Sequence, residues 1–286
     1  MSFYLQNTLG GLAYGGLLFM IAAGLTLIFG LMRVVNIAQT SFYLVGVYTG
    51  LALLTRGVNF WLAALGAGIT VAILGFLIYR LLLYRYQRQE LTTVLLTIGF
   101  SLIIQDLTLA IWGGNPQSVP APAALAHSVH LGAVIFPAYW LTLIVISFVT
   151  AAALWSFQRY TMLGAVIRAG VDDGEMLRGL GVNVDAAFYF VFILGAFLAG
   201  MGGLLGGPIT GAYPGLDSEL LPLAFAVVIV GGMGSLSGAF IGSLVVGLVN
   251  TFGKALLPQL SYFTVFAPVA IIMALRPQGL FGRRLS

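Results

Sequence analysis

The sequence predicts an all-α integral membrane protein: a polytopic bundle of eight to nine transmembrane helices, N-terminus outside and C-terminus cytoplasmic. Composition is the first observation. Hydrophobic residues make up 60% of the chain, charged residues 7%, and mean hydropathy is +1.06, whereas soluble domains carry roughly 25% charge. Spacing is the second, because the apolar residues fall into nine runs, most near the roughly 20 residues a helix needs to cross a bilayer. Charge is the third. With nine crossings from an outer N-terminus, Arg33, Arg80, Arg85, Arg88, Arg159, Arg168, Arg178, Arg276, Arg283 and Arg284 lie inside, and only Arg56 and Lys254 lie outside. Cytoplasmic loops carry that basic excess.

The expected spans run from about Leu9 to Leu31, Ala38 to Leu54, Phe60 to Leu83, Leu91 to Trp112, Pro137 to Phe157, Ala186 to Gly207, Leu220 to Val230, Ala239 to Leu257 and Tyr262 to Leu275. The start, MSFYLQN, lacks the basic region of a secretory signal, so the first apolar run reads as a span. Two runs are short. Leu220 to Val230 is about half a crossing and Tyr262 to Leu275 contains Pro268, so each reads as a crossing or as part of a paired half-helix hairpin. Trp61, Trp112 and Trp140 fall near outer span ends and Trp155 near an inner one, as in an interfacial aromatic belt. No domain boundary interrupts the chain, and residues 1–286 read as a single transmembrane domain.

Glycine is abundant, with 38 residues, many at small-xxx-small spacing: Gly46 and Gly50, Gly202 and Gly206, Gly238 and Gly242. Such spacing lets helix backbones approach closely where lipid gives helices no hydrophobic reason to associate. Spacing alone leaves open whether each face packs inside the chain or against a partner.

Several chemistries are excluded. The net charge of +4 sits in loops rather than in a basic patch interleaved with aromatics, so nucleic acid is not an expected partner. The chain has no cysteine, hence no disulfide or thiolate metal site. Gly253-Lys254 fails as a phosphate-binding loop because Gly247 is one residue too far and Ala255 replaces Ser or Thr. The run from Gly231 to Gly238 has neither dinucleotide-loop nor nucleophile-elbow spacing. His127 and His130 lie in a polar outer loop between Gly113 and Phe136 without an acidic neighbour. Neither catalytic residue nor metal ligand is expected.

The largest inner loop, about residues 158–185, has a centre that reads as a short amphipathic helix. Asp172 is its expected N-cap, followed by Asp173 and, three residues on, Glu175; Met176, Leu177 and Leu180 form its apolar face, with Gly181 at the stop. An acidic start suits an anionic lipid surface poorly, which favours a protein partner.

IRAGVDDGEMLRGLGVNVD resembles the coupling loop of ABC-importer permeases for branched-chain amino acids, the LivH type. VVNIAQTSFYLVGVY resembles the family's Asn-x-Ala-His/Gln-Gly segment, VVIVGGMGSLSGAFIGSLVVG its glycine-rich stretch, and RPQGLFG its usual end. The chain departs from the pattern at Thr40, where glycine is usual, and at Asp106, where Asn commonly follows Gln105. The resemblance implies one permease half of an importer in the bacterial inner membrane. Its partners would be a LivM-type second permease, two cytoplasmic ATPases and an extracytoplasmic substrate-binding protein, embedded in membrane lipid. No cofactor would be bound by this chain; ATP and magnesium would be used by the ATPases. The resemblance also implies that Arg168 and residues 172–181 couple to the ATPases, with Asn36, Gln39, Gln105 and Asp106 as candidate pathway residues.

Related permeases for urea or short amides keep the substrate open. An ion-coupled secondary transporter is the rival from another class, and it would need ionisable groups within the bilayer. By these spans only Asp106 lies away from an end, either as a pathway residue or as a carboxyl satisfied by neighbours such as Gln105.

Overall fold

A computed structural model of the chain describes residues 2–32, 34–86, 89–131, 134–276 and 278–282. All nine expected spans are helical. In order these are α1 (Ser2–Met32), α2 (Ala38–Thr55), α3 (Phe60–Ile78), α5 (Glu90–Trp112), α6 (Ala138–Tyr160), α8 (Val184–Thr210), α9 (Leu216–Gly231), α10 (Leu236–Leu256) and α11 (Ser261–Leu275). A π-turn at Tyr79–Leu83 joins α3 to one further turn, α4 (Tyr84–Tyr86), and α7 (Met162–Gly179) lies between α6 and α8. Among the described residues six helices, including α1 and α8, are long and apolar enough to cross a membrane. α9, with Pro222, and α11, with Pro268, are each continuous rather than broken. The 16 residues of α9 make about 24 Å at 1.5 Å per residue.

α1 is the axis of the bundle. It is apolar all round and buried along most of its length, packed by α6, α8, α9 and α10, as expected of a helix with no polar face. Glycines bring the backbones together. A Cβ on Gly11 would stand 2.9 Å from the Leu248 Cα and one on Gly15 2.7 Å from the Ser243 carbonyl, so α1 and α10 touch backbone to backbone. Gly46 of α2 lies against Gly200 of α8, Gly50 against Leu204, Gly202 against Met20, Gly206 against Tyr43 and Leu17, and Gly238 and Gly242 of α10 against Gly231 of α9. Each of these glycines sits in a contact within the chain.

Two sequence expectations change. The polar loop after α5 contains a hairpin, β1 (Ser128–Leu131) with β2 (Val134–Pro137), antiparallel with Val129 opposite Phe136. This loop is also pinned to the bundle: Gln117 and Ala212 exchange backbone hydrogen bonds of 2.8 and 2.9 Å, and Val119 is buried against Gly207. His127 is exposed, and the side chain of His130 lies outside the described residues.

The second change concerns the inner-loop helix. It starts at Met162, so Asp172 is an interior residue and not an N-cap. The cap is Thr161, whose hydroxyl accepts from the Gly164 N–H at 3.0 Å while its carbonyl accepts from Ala165. Gly181 does stop the helix. It has φ +77°, and the Val182 N–H donates to the Leu177 carbonyl at 3.2 Å, a Schellman closure.

Candidate functional site

α7 presents two different faces. Ile167 is buried, Gly170 fits closely against Leu31 of α1, and Leu177 packs against the same cluster of buried side chains. Beside it, a Cβ on Gly30 of α1 would stand 2.8 Å from the Gly234 Cα, in the α9–α10 turn, and 3.3 Å from Val171 of α7. One face of α7 therefore bears on the end of the axial helix and on the neighbouring turn. On the other face Met176 and Leu180, one turn apart, are 64% and 70% exposed, an apolar patch of the kind that marks a contact surface; Met162, at the opposite end of α7, is 80% exposed. Arg168 and Gly181 are exposed as well. Of the expected apolar face, Met176 and Leu180 point outward and Leu177 points into the bundle. The side chains of Asp172, Asp173, Glu175 and Arg178 lie outside the described residues, as do Arg33, Arg88, Arg283 and Arg284.

A polar seam runs through the bundle where α2 meets α5, α8 and α9. At its first end Asn36 and Gln39 are fully buried. The Gln39 amide donates to the Gly195 carbonyl at 2.9 Å, in a gap that exists because Gly24 and Gly195 carry no side chains. The Asn36 amide reaches Gln39 Oε1 at 3.5 Å, and its own Oδ1 has no partner among the described residues. Thr97 of α5 accepts from the Ile37 N–H at 3.3 Å.

Further along, Ser41 of α2 donates to Asp217 of α9 at 2.8 Å. A serine has one proton to give, so the 2.7 Å contact between Ser41 and Ser101 of α5 is donated by Ser101. The Gln105 amide completes the junction at 3.4 Å from Asp217 and 3.3 Å from Ser218. Asp217 is 1% exposed, and burying a carboxylate is tolerable only with such partners.

The sequence reading missed Asp217, since the apolar run of α9 begins after it. Asp106 is exposed on α5 and makes no hydrogen bond to Gln105. Adjacent residues on a helix stand about 100° apart, and here that turn separates an inward Gln105 from an outward Asp106.

The family described as branched-chain amino acid transport system permease component matches residues 7–275. The chain belongs to this permease family. Over 98% of its length it is 28% identical to the high-affinity branched-chain amino acid transport system permease protein LivH of Escherichia coli K12, covering 96% of that protein. It is 27% identical to BraD of Pseudomonas aeruginosa PAO1, a permease protein with the same description, again over 98% of this chain and 96% of the relative. A probable branched-chain amino acid transport permease protein LivH of Methanocaldococcus jannaschii is 27% identical over 96% of this chain and 91% of its own length. This permease is a multi-pass membrane protein, and its relatives are transport subunits.

Proposed function

We propose that this permease is one membrane half of an ATP-driven importer for branched-chain amino acids in the bacterial inner membrane. The observation that carries the reading is the two-faced helix α7, found in a chain alike along nearly its whole length to permeases whose names specify that transport. In this reading the nine helices cross the bilayer, the basic-rich end is cytoplasmic, and a LivM-type permease, two ATPases and an extracytoplasmic binding protein complete the assembly. ATP and magnesium are used by the ATPases, which seat the exposed Met176 and Leu180.

The mechanism follows from what lies behind that patch. A push on α7 is delivered through Ile167, Gly170 and Val171 to Leu31 and Gly30 at the end of α1 and to Gly234 in the α9–α10 turn. α1 is bound to α10 by backbone contact at Gly11 and Gly15, so a displacement is carried along rigid helices rather than absorbed by side chains. ATP-driven closure then favours one packing of the bundle over another, which is how a bistable carrier alternates access.

The test is uptake in a strain from which this chain has been deleted. Loss of labelled leucine uptake, its restoration by the cloned chain, and competition by isoleucine and valine but not by urea or acetamide support the reading. Competition by urea or short amides alone reassigns the substrate.

A further inference from the structure

At the end of the bundle that holds Thr210, the start of α9 and the end of α10, a cavity of about 670 Å³ opens between helices of this one chain. That is within the size range of small-molecule sites. Two of its walls carry opposite charge. Glu219 of α9 accepts a 2.8 Å hydrogen bond from the Tyr213 hydroxyl. The Lys254 ammonium of α10 stands 5.8 Å from the centroid of the Tyr14 ring, and makes no ion pair with any described residue. The two charges line one space without joining each other.

A third group points to an occupant. Asn250, one turn before Lys254, is 95% buried, lines the cavity, and its amide makes no hydrogen bond with the described residues. An amide that faces open cavity space offers a ligand both donors and an acceptor. Leu216, Leu220 and Leu223 of α9 form an apolar wall, and Asn7, Thr210 and Thr251 add polar groups to the lining.

We propose that this cavity binds a small zwitterion with a primary ammonium group, an anionic group and an apolar body. Its ammonium is held by Glu219, its anion by Lys254 and Asn250, and its apolar part by the leucine wall. A ligand with one charge engages only one of Glu219 and Lys254, whereas a zwitterion engages both. Two sources supply this chemistry: a free α-amino acid and the headgroup of an ethanolamine phospholipid. The assignment to a free amino acid rests on the importer reading above.

The experiment uses the full-length permease in lipid nanodiscs and labelled L-leucine as probe. In phosphatidylglycerol discs saturable binding is expected, with a preference of about tenfold or more over isopentylamine, which lacks the carboxylate, and over 4-methylpentanoate, which lacks the ammonium. Lys254→Gln should erase the preference over isopentylamine, and Glu219→Gln the preference over 4-methylpentanoate. Both side chains are exposed, so neither change removes a packed core. Size-exclusion behaviour checks that both variants remain folded.

Failure of leucine to bind in phosphatidylglycerol discs, with an ethanolamine lipid retained by the wild type and lost from both variants, overturns the amino-acid assignment in favour of a headgroup. Unchanged discrimination in both variants, with leucine still imported by the assembled transporter, overturns the cavity inference and leaves the importer reading standing. Binding as described in a protein whose assembly imports no leucine upholds the cavity and overturns the importer reading.

Discussion

Ser41 and Asp217 lie 176 positions apart and are joined by a buried 2.8 Å hydrogen bond that ties α2 to α9, with Ser101 and Gln105 of α5 closing the junction. Replacing Asp217 with leucine removes this acceptor from the buried Ser41 hydroxyl, at about 1–3 kcal/mol for a buried group left unpaired, while the Gln105 amide keeps Ser218. Asp217→Asn keeps an acceptor for Ser41. In thermal unfolding of the purified permease, Asp217→Leu should melt well below wild type and Asp217→Asn close to it. Equal melting of both variants would show that the junction contributes nothing to the packing of α2, α5 and α9.

Gly46 and Gly99 are both helical glycines with opposite surroundings. A side chain at Gly46 would run into the backbone of Gly200, whereas nothing stands within 4 Å of one at Gly99. Gly46→Ala should therefore destabilise by a few kcal/mol through overpacking. Gly99→Ala should be neutral or stabilising by roughly 0.5–1 kcal/mol through helix propensity. Denaturant unfolding of the two variants checks the contrast.

The helices over the nine apolar runs were readable from the runs themselves, and among the described residues six of them are long and apolar enough to cross a bilayer. The stop at Gly181 was readable from glycine chemistry. The start of α7 was not recognised, although Thr161 is a standard capping residue; the acidic pair at 172 and 173 gave the stronger local signal. Asp217 was hidden for a different reason. Its partners are 176 positions away in α2 and 112 away in α5, and no local pattern reports so distant a pairing. The direction of Asp106 was legible: Thr93, Thr97, Ser101 and Gln105 recur every four residues and mark one face of α5, and Asp106 stands a step of about 100° off that stripe. The hairpin at 128–137 is too short to give a clear alternation of apolar and polar residues.

α7 divides its apolar residues between two tasks, and substitution should separate them. Met176→Asp and Leu180→Asp change exposed side chains, so they should leave the permease stable in the membrane while abolishing substrate-stimulated ATP hydrolysis by the reconstituted assembly. Leu177→Asp puts a charge against the bundle and should lower stability itself. ATP hydrolysis at wild-type rates in both exposed variants would remove α7 from the coupling path.

Sidedness can be read with single cysteines, because the chain has none of its own. Ser118 and Gly179 are both exposed, at opposite ends of the bundle, and no neighbour crowds a side chain at 179. Ser118→Cys should react with an impermeant maleimide in intact cells, and Gly179→Cys only after the membrane is opened. The reverse pattern would invert the topology.

The energy source is tested most directly by uptake into proteoliposomes holding the full assembly at fixed internal ATP, with and without ionophores that collapse the proton and sodium gradients. Asp106→Asn is measured alongside as the exposed acid whose loss should be tolerated. Uptake that persists without gradients, that stops when the partner ATPases are inactivated, and that continues with Asp106→Asn is the result expected of an ATP-driven permease. Uptake that stops with the gradients at constant ATP, and with Asp106→Asn, would contradict it and make this chain an ion-coupled carrier.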